Sequence, residues 1–158
     1  MLGRSEVFKI IPASGKTLWL LGVFTLLFAL LMVALLCLSS YIAYSSRHVQ
    51  FELSSAELQI RGDLYGRRIP ITSLVTTRAL LLDISPMSPY QPSGRTNGIG
   101  LPGYRSGWFK LRNGDKALLF VTDPHSVVYL PTVDGYSLLM SVKEPERFLQ
   151  SLRQVSWR

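Results

Sequence analysis

The chain has 158 residues, with 17 Lys and Arg against 10 Asp and Glu, two histidines and one cysteine. That length allows about one domain, and the single cysteine, Cys37, rules out an intramolecular disulfide. The basic residues are scattered, with Arg67-Arg68 their one adjacent pair, so no basic run of the kind that tracks nucleic acid is present.

Residues 1–16 carry Arg4, Lys9 and Lys16 against Glu6. Within them residues 7–12 (VFKIIP) alternate weakly, as a short strand or an interfacial segment would. Residues 17–46 then contain no Asp, Glu, Lys, Arg or His, and apolar density peaks over 18–38. As a helix that peak rises roughly 30 Å, the thickness of a bilayer's hydrocarbon core. The run is longer than the apolar region of a secretory signal, and aromatic and branched residues at 41–44 interrupt any small-x-small cleavage site. An uncleaved signal-anchor is therefore expected at 17–46, between a tail at 1–16 and a domain at 47–158. Trp19 at one end and Tyr41 and Tyr44 at the other are the expected membrane-interface anchors. Positive charge is denser before the run than just after it, which favours a cytoplasmic N-terminus and an extracytoplasmic domain.

From residue 49 the period becomes two: Val49, Phe51 and Leu53 alternate with polar residues, then Leu58 and Ile60. A third short strand is expected at 67–70, ending at Pro70, which belongs at a strand end or edge. Residues 73–83 (SLVTTRALLLD) have helix-forming content, but the strands around them favour a strand. Residues 84–107 hold four prolines and five glycines without a period and read as a long loop. Strands resume at 108–111, and Asn113-Gly114 marks a two-residue hairpin into 117–122. Asp123-Pro124 turns the chain into 127–131, and Asp134-Gly135 marks another hairpin into 136–142. Short strands at this spacing predict an antiparallel barrel or sandwich. Glu144-Pro145-Glu146 then suits a helix start, and Phe148, Leu149, Leu152 and Val155 form one apolar stripe, fit to plug a barrel end or cover a sheet edge.

Catalytic chemistry is scarce. His48 and His125 are the only histidines, so no metal-ligand spacing exists. Asp123, His125 and Ser126 supply the residue types of a hydrolytic triad, but as neighbours on one turn they cannot line up acid, base and nucleophile. Asp63, Asp83, Asp115, Asp123 and Asp134 all stand beside turn residues, where they cap backbone N–H groups. Residues 94–108 attract more interest. Their glycine N–H groups with Arg95 and Arg105 suit an anion cradle. The glycines suit a long hairpin loop better still, and the aromatic and apolar residues Tyr90, Ile99, Leu101, Tyr104 and Trp108 give the segment an interface-like composition.

Leu58-x-Ile60-x-Gly62-x-Leu64-Tyr65-Gly66-x-x-Ile69-Pro70 and Arg95-x-Asn97-Gly98-x-Gly100-x-x-Gly103-Tyr104-x-x-Gly107-Trp108-Phe109, followed by Asp134-Gly135-Tyr136-x-Leu138-Leu139-x-Ser141 and Pro145-Glu146-x-Phe148, resemble the bacterial pleckstrin-homology (PH)-like domain family over about residues 48–153. The resemblance implies a mainly β, PH-like antiparallel barrel of about seven strands capped by the C-terminal helix. Such domains are commonly attached to membrane spans, so a single-pass protein of the bacterial cytoplasmic membrane is expected. No catalytic residues, metal or cofactor are carried over. The turns at 54–56 and 62–63 lack the lysine and arginine cluster with which eukaryotic PH domains hold inositol phosphates.

The expected function is non-catalytic binding or scaffolding at the membrane surface. The partner would be the lipid bilayer together with a membrane protein or a second copy of the chain, contacted through Arg95, Asn97, Gly98, Gly100, Gly103, Tyr104, Arg105 and Trp108. The alternatives are peripheral contact of the basic domain with anionic headgroups and, remotely, a small hydrolase using His125. A link at 45–48 would hold the domain near the headgroups.

Overall fold

The computed structural model describes residues 15–156. The segment at 7–12 lies outside them. The chain divides into two compact units, one ending at Ile42 and the other beginning at Ala43.

Helix α1 spans Gly15–His48, and its stretch Leu18–Tyr44 is long and apolar enough to cross a membrane. Its side chains present no polar face: Trp19, Phe24 and Leu36 are all about two-thirds exposed. Two hydroxyls inside it are satisfied locally, Thr25 Oγ1 donating to the Leu21 carbonyl at 2.8 Å and Ser39 Oγ to that of Leu36 at 2.9 Å. This is how hydroxyls are carried where no water is available. The expected link at 45–48 is helical instead, because no glycine or proline stops the helix between residues 39 and 48.

Among the described residues the second unit is built from nine strands. Three short ones, β1 (Gln50–Leu53), β2 (Glu57–Arg61) and β3 (Arg68–Pro70), pair antiparallel in that order. The other six are β4 (Leu80–Leu82), β5 (Pro92–Leu101), β6 (Tyr104–Leu111), β7 (Lys116–Val121), β8 (Val127–Pro131) and β9 (Ser137–Met140). They form a second sheet in the order β4-β8-β9-β7-β6-β5. Helix α2 (Pro145–Ser156) follows. The mainly β fold with its C-terminal helix is thus as the sequence predicts, but the two sheets do not close into one barrel. Nor is every pair antiparallel. The hairpin at 132–136 returns β9 between β8 and β7, and there it runs parallel to β7 with Leu118 opposite Leu138.

Alternation along the central strands separates two cores. One face of the six-stranded sheet offers Leu118, Phe120, Val128, Leu130, Leu138 and Met140 to Leu58, Ile60 and Ile69 of the small sheet and to Phe148 and Leu152 of α2. The stripe expected on α2 is therefore the one that is buried. Leu152 is fully buried, so Leu152→Ala should cost about 2–5 kcal/mol in denaturant unfolding, and more than Leu149→Ala at its partly buried neighbour. The opposite face carries Ala117, Leu119, Val121, Val127, Tyr129 and Leu139, equally buried. Its cover comes from the proline-rich segment 83–91, where Ile84 and Tyr90 lie against the sheet and the Tyr90 ring stands 4.7 Å from that of Tyr129. Backbone bonds tie this strap down: Ile84 N–H to Pro124 O at 2.7 Å, Arg112 N–H to Gln91 O at 2.9 Å and Asn113 N–H to Pro89 O at 2.9 Å.

Three local expectations are corrected. The expected strand at 73–83 instead begins at the end of one 3-10 turn, Ile71–Ser73, and contains a second, Thr76–Arg78, with only Leu80–Leu82 as strand. Turns rather than a pleat carry Leu74 and Ala79 into the core. The expected loop at 84–107 is a strap up to residue 91 and then most of the β5–β6 hairpin, whose alternation is hidden in the sequence because glycines leave no side chain to alternate. The hairpins at 112–114 and 133–135 have three-residue loops, not two: positive φ falls on Gly114 (94°) and Gly135 (78°) alone, so Asn113 and Asp134 do not adopt the conformation a two-residue type I′ turn demands.

Candidate interaction surface

The segment singled out in the sequence becomes the β5–β6 hairpin, the longest strand pair of the domain. β5 is terminal in its sheet, with β6 on one side and, among the described residues, no strand on the other. Its first half is irregular: register shifts fall between Pro92 and Gly94 and between Arg95 and Asn97. The two extra residues are Ser93 and Thr96, whose hydroxyls donate back to β6 carbonyls, Ser93 to Lys110 and Leu111 at 3.1 Å and Thr96 to Trp108 at 3.1 Å. Bulges of this kind twist an edge and discourage indiscriminate pairing. From Asn97 to Leu101 the register is regular.

Alternation divides the expected contact residues between the two faces of the hairpin. Arg95, Gly98, Gly100 and Arg105 share the face of Phe109, whose ring lies 3.1 Å from where a Cβ on Gly98 would stand and 3.6 Å from one on Gly100. Asn97, Tyr104 and Trp108 point to the other face, toward the small sheet. Gly103 lies in the turn with φ +76°.

Tyr104 is 5% exposed, and what holds it is a residue the sequence assigned only to a turn. Asp63, between β2 and β3, caps the Tyr65 N–H at 2.8 Å as a turn aspartate does. The same carboxylate also accepts from the Ser106 hydroxyl at 2.7 Å and from the Tyr104 hydroxyl. Tyr104 and Ser106 alternate onto one face of β6, so one carboxylate serves two rungs. The turn thereby brings Tyr65 over the hairpin, where its hydroxyl donates to Asn97 Oδ1 at 3.0 Å. A spacing of 41 residues between Asp63 and Tyr104 leaves no local pattern from which this contact is readable.

Trp108 is half-buried at the end of the same face. Its ring meets Tyr136 edge-on at 5.1 Å, with the Arg67 guanidinium 4.9 Å and Lys116 Nζ 4.2 Å from its centroid. Asp123 caps the His125 N–H at 2.9 Å as expected, whereas Asp115 accepts from the Asn113 side chain at 2.7 Å and has its own N–H capped by Asn113 Oδ1 at 3.0 Å. Asp83 pairs with His125 Nδ1 at 3.2 Å on open surface. The Ser141 hydroxyl, by contrast, donates to the Asp123 carbonyl at 2.9 Å and accepts from the Thr122 and Asp123 N–H groups. On α1 the aromatic positions Trp19 and Tyr41 are exposed and stand about 33 Å apart along the axis, while Tyr44 stacks on His48 at 4.0 Å.

No curated protein and no solved structure matches the chain. A family model described as Bacterial PH domain matches residues 49–156, a span that opens just before the small sheet and ends with α2. Because that match takes in both sheets and the closing helix, the chain belongs to the bacterial PH domain family.

Proposed function

We propose that this protein is a non-catalytic, membrane-anchored binding module whose β5–β6 hairpin engages another membrane protein or a second copy of the chain. Family membership supports a binding or scaffolding role in general. The observation that carries the finer reading is the outer edge of β5: regular over 97–101, exposed at Leu101 (45%), and available for main-chain pairing. Arg95 and Arg105 flank it with positive charge.

A photocrosslinking residue at position 96 of the full chain in its native membrane should give discrete crosslinked products. Arg95→Glu with Leu101→Glu, which puts two charges on the edge, should reduce them at least tenfold. Crosslinks of unchanged pattern and yield would refute the hairpin as the contact surface.

The anchor is proposed to be α1, uncleaved, in the bacterial cytoplasmic membrane with the N-terminus inside. A phosphatase reporter fused after Arg158, active only outside the cytoplasm, should then be active. A reporter that works only in the cytoplasm should be silent, and the reverse pair of results would invert the topology.

A further inference from the structure

The charges of the second unit are unevenly compensated. Arg61 has Glu52 at 3.4 Å, Arg68 has Glu57 at 3.7 Å and Arg147 has Glu144 at 3.0 Å. Around Trp108 the pattern reverses. Arg67 and Lys116 both lie over its ring, and Lys110 stands directly opposite Lys116 across the β6–β7 ladder. Among the described residues no carboxylate comes within ion-pair distance of Arg67, Lys110 or Lys116. Asp115, the nearest acid in sequence, is bonded by the Asn113 side chain. Like charges directly opposite on paired strands repel, and the aromatic face offsets only part of that repulsion. Arg67 adds a second irregularity: its Nε is buried and has no hydrogen-bond partner.

These cations converge on one face. Trp108 and Lys110 alternate together on β6, Lys116 is Lys110's register partner, and the β2–β3 turn fixed by Asp63 and Tyr65 delivers Arg67 to the same ring. A planar guanidinium and one ammonium group over an aromatic ring, with a second lysine opposite on the ladder, form a receptor for a compact multivalent oxyanion. A phosphate group matches it best, because its several oxygens accept from the fork of Arg67 while its charge lies between the lysines.

We infer that Arg67, Lys110 and Lys116, assembled on Trp108, form a binding site for a phosphate group, borne either by a small soluble molecule or by a lipid headgroup. The site is separate from the outer edge of β5 and does not depend on pairing there. The turn at 54–56, which carries no lysine or arginine, takes no part in it.

The test uses the full chain in nanodiscs of zwitterionic phosphatidylcholine, with thermal unfolding followed by circular dichroism. Inorganic phosphate should raise Tm by roughly 4 °C or more over sodium chloride at equal ionic strength, as a saturating ligand of the folded state does. A parallel arm puts phosphatidic acid in the disc and omits phosphate. A rise in the first arm identifies a soluble phosphate as sufficient, and a rise confined to the second identifies the headgroup. Lys110→Gln and Lys116→Gln should each abolish the response. Each should also leave Tm without ligand unchanged or higher, since it relieves repulsion, and this separates loss of binding from loss of fold. Lys143→Gln, remote in sequence on an exposed position, should respond like the parent. No rise in either arm beyond the chloride control, or a full response in both lysine variants, overturns the site.

Discussion

Gly107→Ala should unfold the second unit or lower its Tm by more than about 15 °C, whereas Gly100→Ala, seven residues earlier on the other strand of the hairpin, should be neutral or slightly stabilising. At Gly107 the backbone has φ +103°, and a Cβ would stand 2.6 Å from both Asn97 O and Gly98 Cα and 2.9 Å from Tyr65 Cε2. Left-handed backbone costs an alanine about 1–2 kcal/mol, and overpacking about 1–3 kcal/mol more. Here the obstacle is mostly backbone, so relaxation means opening the β5–β6 ladder. Such a loss consumes much of a total stability of roughly 5–15 kcal/mol, and for a domain of this size each kcal/mol moves Tm by about 4–8 °C. Gly100 has no positive φ and would meet only Phe109 at 3.6–3.7 Å, an ordinary contact. There alanine chiefly restricts the unfolded chain, which is worth about 0.4–1 kcal/mol. Thermal unfolding of the two variants in detergent measures the contrast, and equal behaviour would contradict this geometry.

The same pair shows why the middle of the chain was hard to read. Alternation is visible in a sequence only when side chains differ from one position to the next, as at 49–53 or 117–121. In β5 glycine occupies positions 94, 98 and 100, so the strand carries its periodicity in backbone hydrogen bonds alone. The two bulges at Ser93 and Thr96 shift what alternation is left. Residues 73–83 failed for the opposite reason. Their aliphatic content is real, but two 3-10 turns distribute it, with Leu74 and Ala79 buried while Leu80 and Leu81 stay exposed. Local composition fixes how apolar a segment is without fixing which residues meet the core.

Elements with a strong local cause were legible. The apolar run of α1 needs no partner to declare itself, the stripe of α2 carries its own period, and β8 at 127–131 lies where branched residues and turn punctuation place it. Contacts made at long range were not. The sequence brought Arg95, Arg105 and Trp108 together because they are close along the chain, yet strand alternation sends the arginines to one face and the indole to the other. The cations that do gather on Trp108 come from the β2–β3 turn and from β6 and β7. Only the register Lys110↔Lys116 and the position of Arg67 connect them.

Asp63→Ala should destabilise the domain by about 3 kcal/mol and loosen this assembly before the rest of it. The substitution removes the acceptor of the Ser106 hydroxyl, which is fully buried, and that of the Tyr104 hydroxyl, which is nearly so. Hydrogen bonds to a charged group contribute about 1.5–3 kcal/mol each, and a buried donor left unpaired costs about 1–3 kcal/mol. Asp63→Asn keeps an acceptor oxygen for one hydroxyl and for the Tyr65 N–H, so its loss should be about half as large. Ser106→Ala in the Asp63→Ala background should cost less than Ser106→Ala alone, because the hydroxyl it deletes is already orphaned. A double-mutant cycle should give a coupling of at least about 1 kcal/mol, whereas additive effects would mean that Asp63 acts only within its own turn. Hydrogen exchange locates the consequence: amides of 62–67 in Asp63→Ala should exchange faster than those of β7 and β9, whose core does not touch the carboxylate. Since Tyr65 and Arg67 ride on that turn, the bond from Tyr65 to Asn97 and the guanidinium over Trp108 loosen with it. The variant should therefore lose its response to phosphate while the central sheet remains folded.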